Sequence, residues 1–226
     1  MTGPLFDLRT VVFCVILIEL FLTLIMALYW KKRRGYPGFG LFTLSIFIFA
    51  LVHICVVLRG SIPDIISIAG TNFFTIFGFL ITYDGASRFR SNKPIPAYWY
   101  LLIPLNCAGM VYGYYYINSI GLRTVFLAIP TCILAVQIAR AFYQSRDSEK
   151  DVFTWLIILN FSILAVIFLL RIIDHGIRIQ DRTLLESSVS NDFLFIYSLF
   201  AAIASSILFI TLNSDRLTQE RDARTV

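Results

Sequence analysis

Seven stretches of the chain are nearly unbroken apolar runs, each about a membrane's thickness long as a helix. They lie at roughly 10–30, 40–58, 65–86, 97–117, 121–143, 152–173 and 193–213, and short segments with charge, glycine or proline separate most of them. A helix rises ~1.5 Å per residue, so about 20 apolar residues cross ~30 Å of hydrocarbon. Transmembrane β-strands are about 10 residues long and alternate apolar with polar positions. A run such as VVFCVILIELFLTLIMALYW does not alternate. Helices satisfy their own backbone hydrogen bonds in lipid. The pattern predicts an all-α integral membrane protein, a bundle of seven transmembrane helices.

Composition agrees. Hydrophobic residues make up 58% of the 226 residues, charged residues 15%, and mean hydropathy is +0.78. A soluble domain is nearer 45–50% apolar and about 25% charged. The net charge of +5 does not by itself indicate a nucleic-acid partner. What matters in a membrane protein is where the basic residues fall. With the N-terminus outside, the inner segments hold thirteen of the 19 Lys and Arg residues, led by the cluster KKRR at 31–34. The outer segments hold six: Arg9, Arg59, Arg123, Arg171, Arg178 and Arg182. The expected orientation is N-terminus outside and C-terminus cytoplasmic. The cluster follows the first run, and no small-residue cleavage site is present, so the first span reads as retained.

Polar residues inside spans are costly and often functional. Glu19 lies near the middle of helix 1, and a carboxylate there must be neutral, paired or wet. His53 and Asn72 fall in the outer halves of helices 2 and 3. Arg171, Asp174 and His175 crowd the outer end of helix 6, where they are also placed to snorkel to the interface. By depth, Glu19, His53, Asn72 and Arg171 can share one outer cavity. His53 reads equally as an interhelical hydrogen-bond donor. Asn106, Gln137 and Asn160 read as helix–helix hydrogen bonds.

The hairpin LRGSIPDIISIAGTN (58–72) joins helices 2 and 3. Gly60 and Pro63 break the helix, and Asp64 suits the start of the next. Arg59 and Asp64 are either a turn and cap or the rim of an outward-facing cavity. The aromatic clusters at 98–102 and 112–117 read as interfacial belts; the alternative is an aromatic wall for a ligand, with Tyr112, Tyr115 and Tyr116 as candidates. The largest outer loop, 175–192, is placed to cap a cavity.

Some chemistry is argued against by position. The only lysines, Lys31, Lys32, Lys93 and Lys150, lie at inner loops, so no intramembrane Schiff base is expected. The cysteines Cys14, Cys55, Cys107 and Cys132 lack metal-like spacing and read as buried thiols. Ser205 and Ser206 sit on a small-residue stretch that suits helix packing or a dimer contact. No metal, cofactor or catalytic residue is expected.

The segment from Tyr29 to Phe89 resembles the N-terminal membrane sensor of some bacterial diguanylate cyclases and sensor histidine kinases. The residues that carry the likeness are Tyr36, Gly38, Leu58, Arg59, Gly60, Pro63, Asp64, Asn72, Arg88 and Phe89. RLTQE, Arg216 to Glu220, is similar to the linker into their GGDEF or kinase modules. The resemblance implies a sensory input domain over 1–213 and a signalling-helix start over 214–226, with Arg216 and Leu217 in the output path. It also implies a bacterial inner membrane, a homodimer, and a cytoplasmic cyclase or kinase output, fused or separate. No such module lies in this sequence, so catalysis does not carry over. The ligand expected from the apolar walls is a small amphiphile or lipid-like molecule, with membrane lipids as surroundings. The candidate ligand residues are Glu19, His53, Arg59, Asp64, Asn72, Tyr112, Tyr116 and Arg171. A small seven-helix transporter is the alternative, although helices 1–3 and 5–7 show no repeat and Pro104 and Pro130 are the only mid-span prolines.

Overall fold

The computed structural model describes residues 8–33, 36–117, 119–144, 152–177 and 189–225. The side chain of Asp64, and residues 178–188 of the proposed capping loop, lie outside what is described. Seven α-helices follow in order: α1 (Leu8–Lys32), α2 (Phe39–Val57), α3 (Asp64–Ser91), α4 (Leu102–Tyr115), α5 (Ile120–Tyr143), α6 (Val152–Ile177) and α7 (Val189–Thr225). Six of them, all but α4, are long and apolar enough to cross a membrane. The protein is a helical, multi-pass membrane protein.

Three elements depart from the apolar runs. The fourth run does not form one regular helix. It begins as a 3-10 helix, Ala97–Leu101, after Pro96, and only then becomes α4. The 14 residues of α4 cover roughly 21 Å; the preceding 3-10 turn adds about 10 Å. The seventh run ends at 213, but α7 continues to Thr225. Its last turns are polar and contain no Gly or Pro, so nothing in the backbone stops it. Similarly α3 runs past its apolar stretch to Ser91, where Asn92 closes it in a left-handed conformation (φ 56°).

Contacts fix the directions. Tyr29 near the end of α1 packs on Phe39 at the start of α2, and Arg90 at the end of α3 bonds Thr154 at the start of α6. Phe142 at the end of α5 and Phe209 on α7 stack against Phe42. These residues share what we call the basic end, with Lys31, Lys32, Arg88, Arg90, Arg140 and Arg216 around it. At the other end Val12 of α1 packs with Val56 of α2, and Gly121 of α5 meets the carbonyl of His175 of α6. Consequently α1, α3, α5 and α7 run toward the basic end, and α2, α4 and α6 run back.

The packing makes a ring. Successive contacts run α1–α2–α3–α5–α6–α7 and close from α7 onto α1 and α2. α4 packs on α3 and α5, outside that ring. Its Gly109 allows the approach to α5, since a Cβ there would lie 2.7 Å from the Phe126 ring. The tightest contact is between backbones. Gly38, just before α2, adopts φ 96°, and a Cβ on it would lie 2.3 Å from the carbonyl oxygen of Gly85 in α3. Only glycine meets both demands.

Candidate functional site

The ring borders a partly open cavity of about 140 Å³. Each wall is one helical face. On α2 the face is Ser45, Ile46, Phe49, Val52, His53 and Val56; on α3 it is Thr71, Thr75, Phe79 and Thr82. On α6 it is Asn160, Phe161, Leu164, Phe168 and Arg171; on α7 it is Leu194, Ser198, Ala201, Ala202, Ser205 and Phe209. α1 contributes Glu19 and α5 contributes Leu127. The three-, four- and seven-residue spacings are those of a single stripe on a helix.

Glu19 is only 2% exposed. Its Oε2 lies 2.8 Å from His53 Nδ1 across the α1–α2 contact. A carboxylate removed from water needs such a partner. Arg171, 3% exposed, also faces the cavity, from the end away from the basic end. At the other end of the α6 stripe from Arg171, Asn160 Nδ2 donates to Ser205 Oγ at 2.9 Å, while the Tyr197 hydroxyl donates to Asn160 Oδ1 at 2.7 Å. That network joins α6 to α7, as expected of Asn160, and Asn160 borders the cavity as well.

The hydroxyls behave differently. Thr71 donates to the Ser67 carbonyl, Thr75 to that of Thr71, Thr82 to that of Gly78, and Ser45 to that of Phe42. Each spends its proton on its own helix and leaves oxygen lone pairs as its polar contribution. The walls thus combine one acid–imidazole pair, one guanidinium, acceptor oxygens and an aromatic surface. Such walls offer charge and hydrogen-bonding groups set among apolar side chains.

Of the residues singled out from the sequence, Glu19, His53 and Arg171 come together here. Asn72 does not join them. It is buried, but its Nδ2 bonds the Ile68 carbonyl at 2.7 Å, and it points about 100° round α3 from Thr71. Arg59 lies beyond the last turn of α2, in the turn where Gly60 takes φ 86° and Ser61 and Ile62 bond back to the Leu58 carbonyl. It is not among the wall residues. Tyr112 and Tyr116 stack on each other with centroids 5.6 Å apart and are 50% and 79% exposed, outside the ring. Asp64 begins α3. Asn106 is buried, but neither of its amide atoms has a hydrogen-bond partner among the described residues. Ser205 and Ser206 are both buried within the bundle, so they present no face to a second copy. The cysteines are free thiols, and among the described residues no three His, Cys, Asp or Glu side chains are grouped to hold a metal.

At the basic end α7 is fastened to the rest. Asn213 Oδ1 accepts from the Tyr36 backbone N–H at 2.8 Å, and its Nδ2 donates to the Tyr29 hydroxyl at 3.3 Å. Arg216 donates to the Phe89 carbonyl and lies over the Tyr36 and Phe89 rings. Beyond it Thr218, Gln219, Arg221 and Asp222 are exposed. Leu217 is half-buried. Asn213 is not legible in the sequence because it is the last residue of the seventh apolar run; only the tertiary contact with the α1–α2 turn shows its use. No family model matches this chain, and neither a curated protein nor a solved structure matches it.

Proposed function

We propose that the protein is a membrane-embedded sensory input domain. It binds a small or lipid-like molecule within the bundle and relays a conformational signal through α7 to a cytoplasmic output. The observation that carries the reading is that one helix both walls the cavity and leaves the bundle. Ser198, Ala201, Ala202, Ser205 and Phe209 of α7 wall the cavity, and the same helix leaves the bundle beyond Arg216. A ligand shifts such a helix only by binding its two positions unequally. Contact along four turns of α7 is where that difference arises.

In this reading the chain crosses the bilayer seven times. α4 and the 3-10 turn before it make up the fourth crossing, about 31 Å in all. The basic end is cytoplasmic, in keeping with the distribution of Lys and Arg, and the host membrane is a bacterial inner membrane. The output is a cyclase or kinase module, fused or separate, and it works in a homodimer. The transporter alternative is less favoured. Alternating-access carriers form their site from broken helices, whereas the helices around this cavity are continuous over the described residues.

The test is a fusion of α7 to a diguanylate cyclase reporter in cells. Filling the cavity with Ala202→Leu, and separately loosening the fastening with Arg216→Ala, should each change cyclic dinucleotide output severalfold. Output that ignores both changes, with the protein folded and inserted, removes the sensory reading. Substrate flux into proteoliposomes would install the carrier in its place.

A further inference from the structure

We infer that one water molecule is bound between α4 and α5, inside the membrane-spanning part of the bundle. It bridges the side-chain amide of Asn106 to a backbone carbonyl that Pro130 leaves open. The site is separate from the cavity and from the sensory reading, since Asn106 is not among the cavity-lining residues.

The opening in α5 is chemical. Pro130 stands inside that helix. It has no N–H, so the carbonyl of Phe126, four residues earlier, loses its ordinary donor. The Thr131 hydroxyl next to Pro130 does not fill the gap, because it donates to the Leu127 and Ala128 carbonyls at 2.8 and 3.0 Å. Spanning helices tolerate a proline where a neighbouring helix or an ordered water satisfies the freed group.

The neighbour at that level is Asn106. Gly109 and Gly113 turn one face of α4 to α5. A Cβ on Gly109 would meet the Phe126 ring at 2.7 Å, and one on Gly113 would meet the Arg123 side chain at 3.0 Å and its backbone nitrogen at 3.8 Å. The two helices run antiparallel. Asn106 lies two turns before Gly113 on the same face, and Pro130 lies two turns after Arg123. The same step of ~10 Å along each axis therefore leads from the glycine contact to Asn106 and to Pro130. Asn106 is 3% exposed, and neither its Oδ1 nor its Nδ2 has a partner among the described residues. Asn160, by contrast, bonds Ser205 and Tyr197.

A buried water makes about three hydrogen bonds to groups that otherwise lack them. Asn106 offers a donor and an acceptor, and Phe126 offers an acceptor. A water that accepts from Asn106 Nδ2 and donates to the Phe126 carbonyl completes the bridge, and its second proton goes to Asn106 Oδ1. α4, packed outside the ring, thereby closes the backbone of a ring helix, the one whose Leu127 lines the cavity.

Two measurements test the bridge. Solid-state NMR of the full chain in lipid reads the water directly, by magnetisation transfer from water to the Asn106 side-chain amide. That amide is assigned through the Asn106–Cys107 pair, the one Asn-Cys step in the sequence. Transfer is expected, and its absence overturns the inference even if no variant folds. Unfolding in mixed detergent then reads the link to Pro130. Asn106→Leu should lower the folding equilibrium constant about fivefold or more, because it strands the Phe126 carbonyl. In the Pro130→Ala background residue 130 regains its N–H and closes that carbonyl. There Asn106→Leu should leave the constant unchanged or raise it, since replacing an amide that has lost its use by an apolar group of similar shape is neutral or stabilising. An equal effect in the two backgrounds overturns the inference, as does a stabilised Asn106→Leu in the parent, the mark of an amide with no partner at all. Reporter output enters neither measurement, so a failure here leaves the sensory reading standing.

Discussion

The two halves of the bundle are built by opposite rules. The basic half is filled. Phe42 stacks on Phe209 at 3.8 Å, Phe142 lies on both, and Phe89 closes the group. Arg90 and Arg216 cover the aromatic rings and tie helix ends together. The other half is open inside and carries the buried polar groups Glu19, His53 and Arg171. In lipid, helices gain little from the hydrophobic effect, so close packing and interhelical hydrogen bonds hold them. The filled half supplies that cohesion. It permits the other half to keep a void and three costly polar side chains. α7 belongs to both halves, which makes it the path for the signal proposed above.

Four measurements break or sharpen this contrast. The largest effect should come from the filled half. Phe42→Ala removes a fully buried ring from the centre of the stack and should destabilise the fold by about 3–5 kcal/mol, read by unfolding in mixed detergent. A loss no greater than that of a lipid-facing residue such as Phe21 would mean the aromatic group does not hold the bundle. Next is the polar pair. A double-mutant cycle with Glu19→Gln and His53→Ala should return a coupling of about 1–2 kcal/mol, near the upper range for hydrogen bonds in membrane proteins. A coupling near zero would separate the two residues. Third, Asn213→Ala removes two contacts of α7 and should cost about 1 kcal/mol. It should also shift reporter output, a readout that a passive surface residue would not move. The smallest effect is expected at Tyr112→Ala and Tyr116→Ala. Both lie outside the ring and should stay within ~0.5 kcal/mol of the parent, with reporter output unaltered.

The contrast also explains what the sequence made legible. The helices were plain because lipid demands long apolar runs with their backbone bonds closed internally. The 3-10 start of the fourth segment was hidden, because Ala97–Leu101 is as apolar as a regular helix would be and only the preceding PIP stretch hints at it. The extent of α7 was hidden because its polar last turns carry no lipid signature. For the site, Glu19, His53 and Arg171 stood out as charges in apolar runs. Depth along the membrane also grouped Asn72 with them, yet Asn72 is not among the lining residues, since depth says nothing of direction. The angular position did hold the answer: Thr71, Thr75 and Thr82 repeat at intervals of four and seven, the stripe that faces the cavity. Threonine hides well in a span, because its hydroxyl bonds its own helix and costs little. Arg59 and Asp64 belong to a turn that the glycine and proline had already accounted for.

The contact between Gly38 and Gly85 has a bearing on genetics. No other amino acid fits at 38, whether or not anything binds in the cavity. On the sensory reading proposed above, a screen for silenced variants would therefore recover Gly38 substitutions as readily as Arg171 substitutions. Cell-surface abundance would tell them apart, because the first class would be scarce in the membrane and the second would be abundant but deaf.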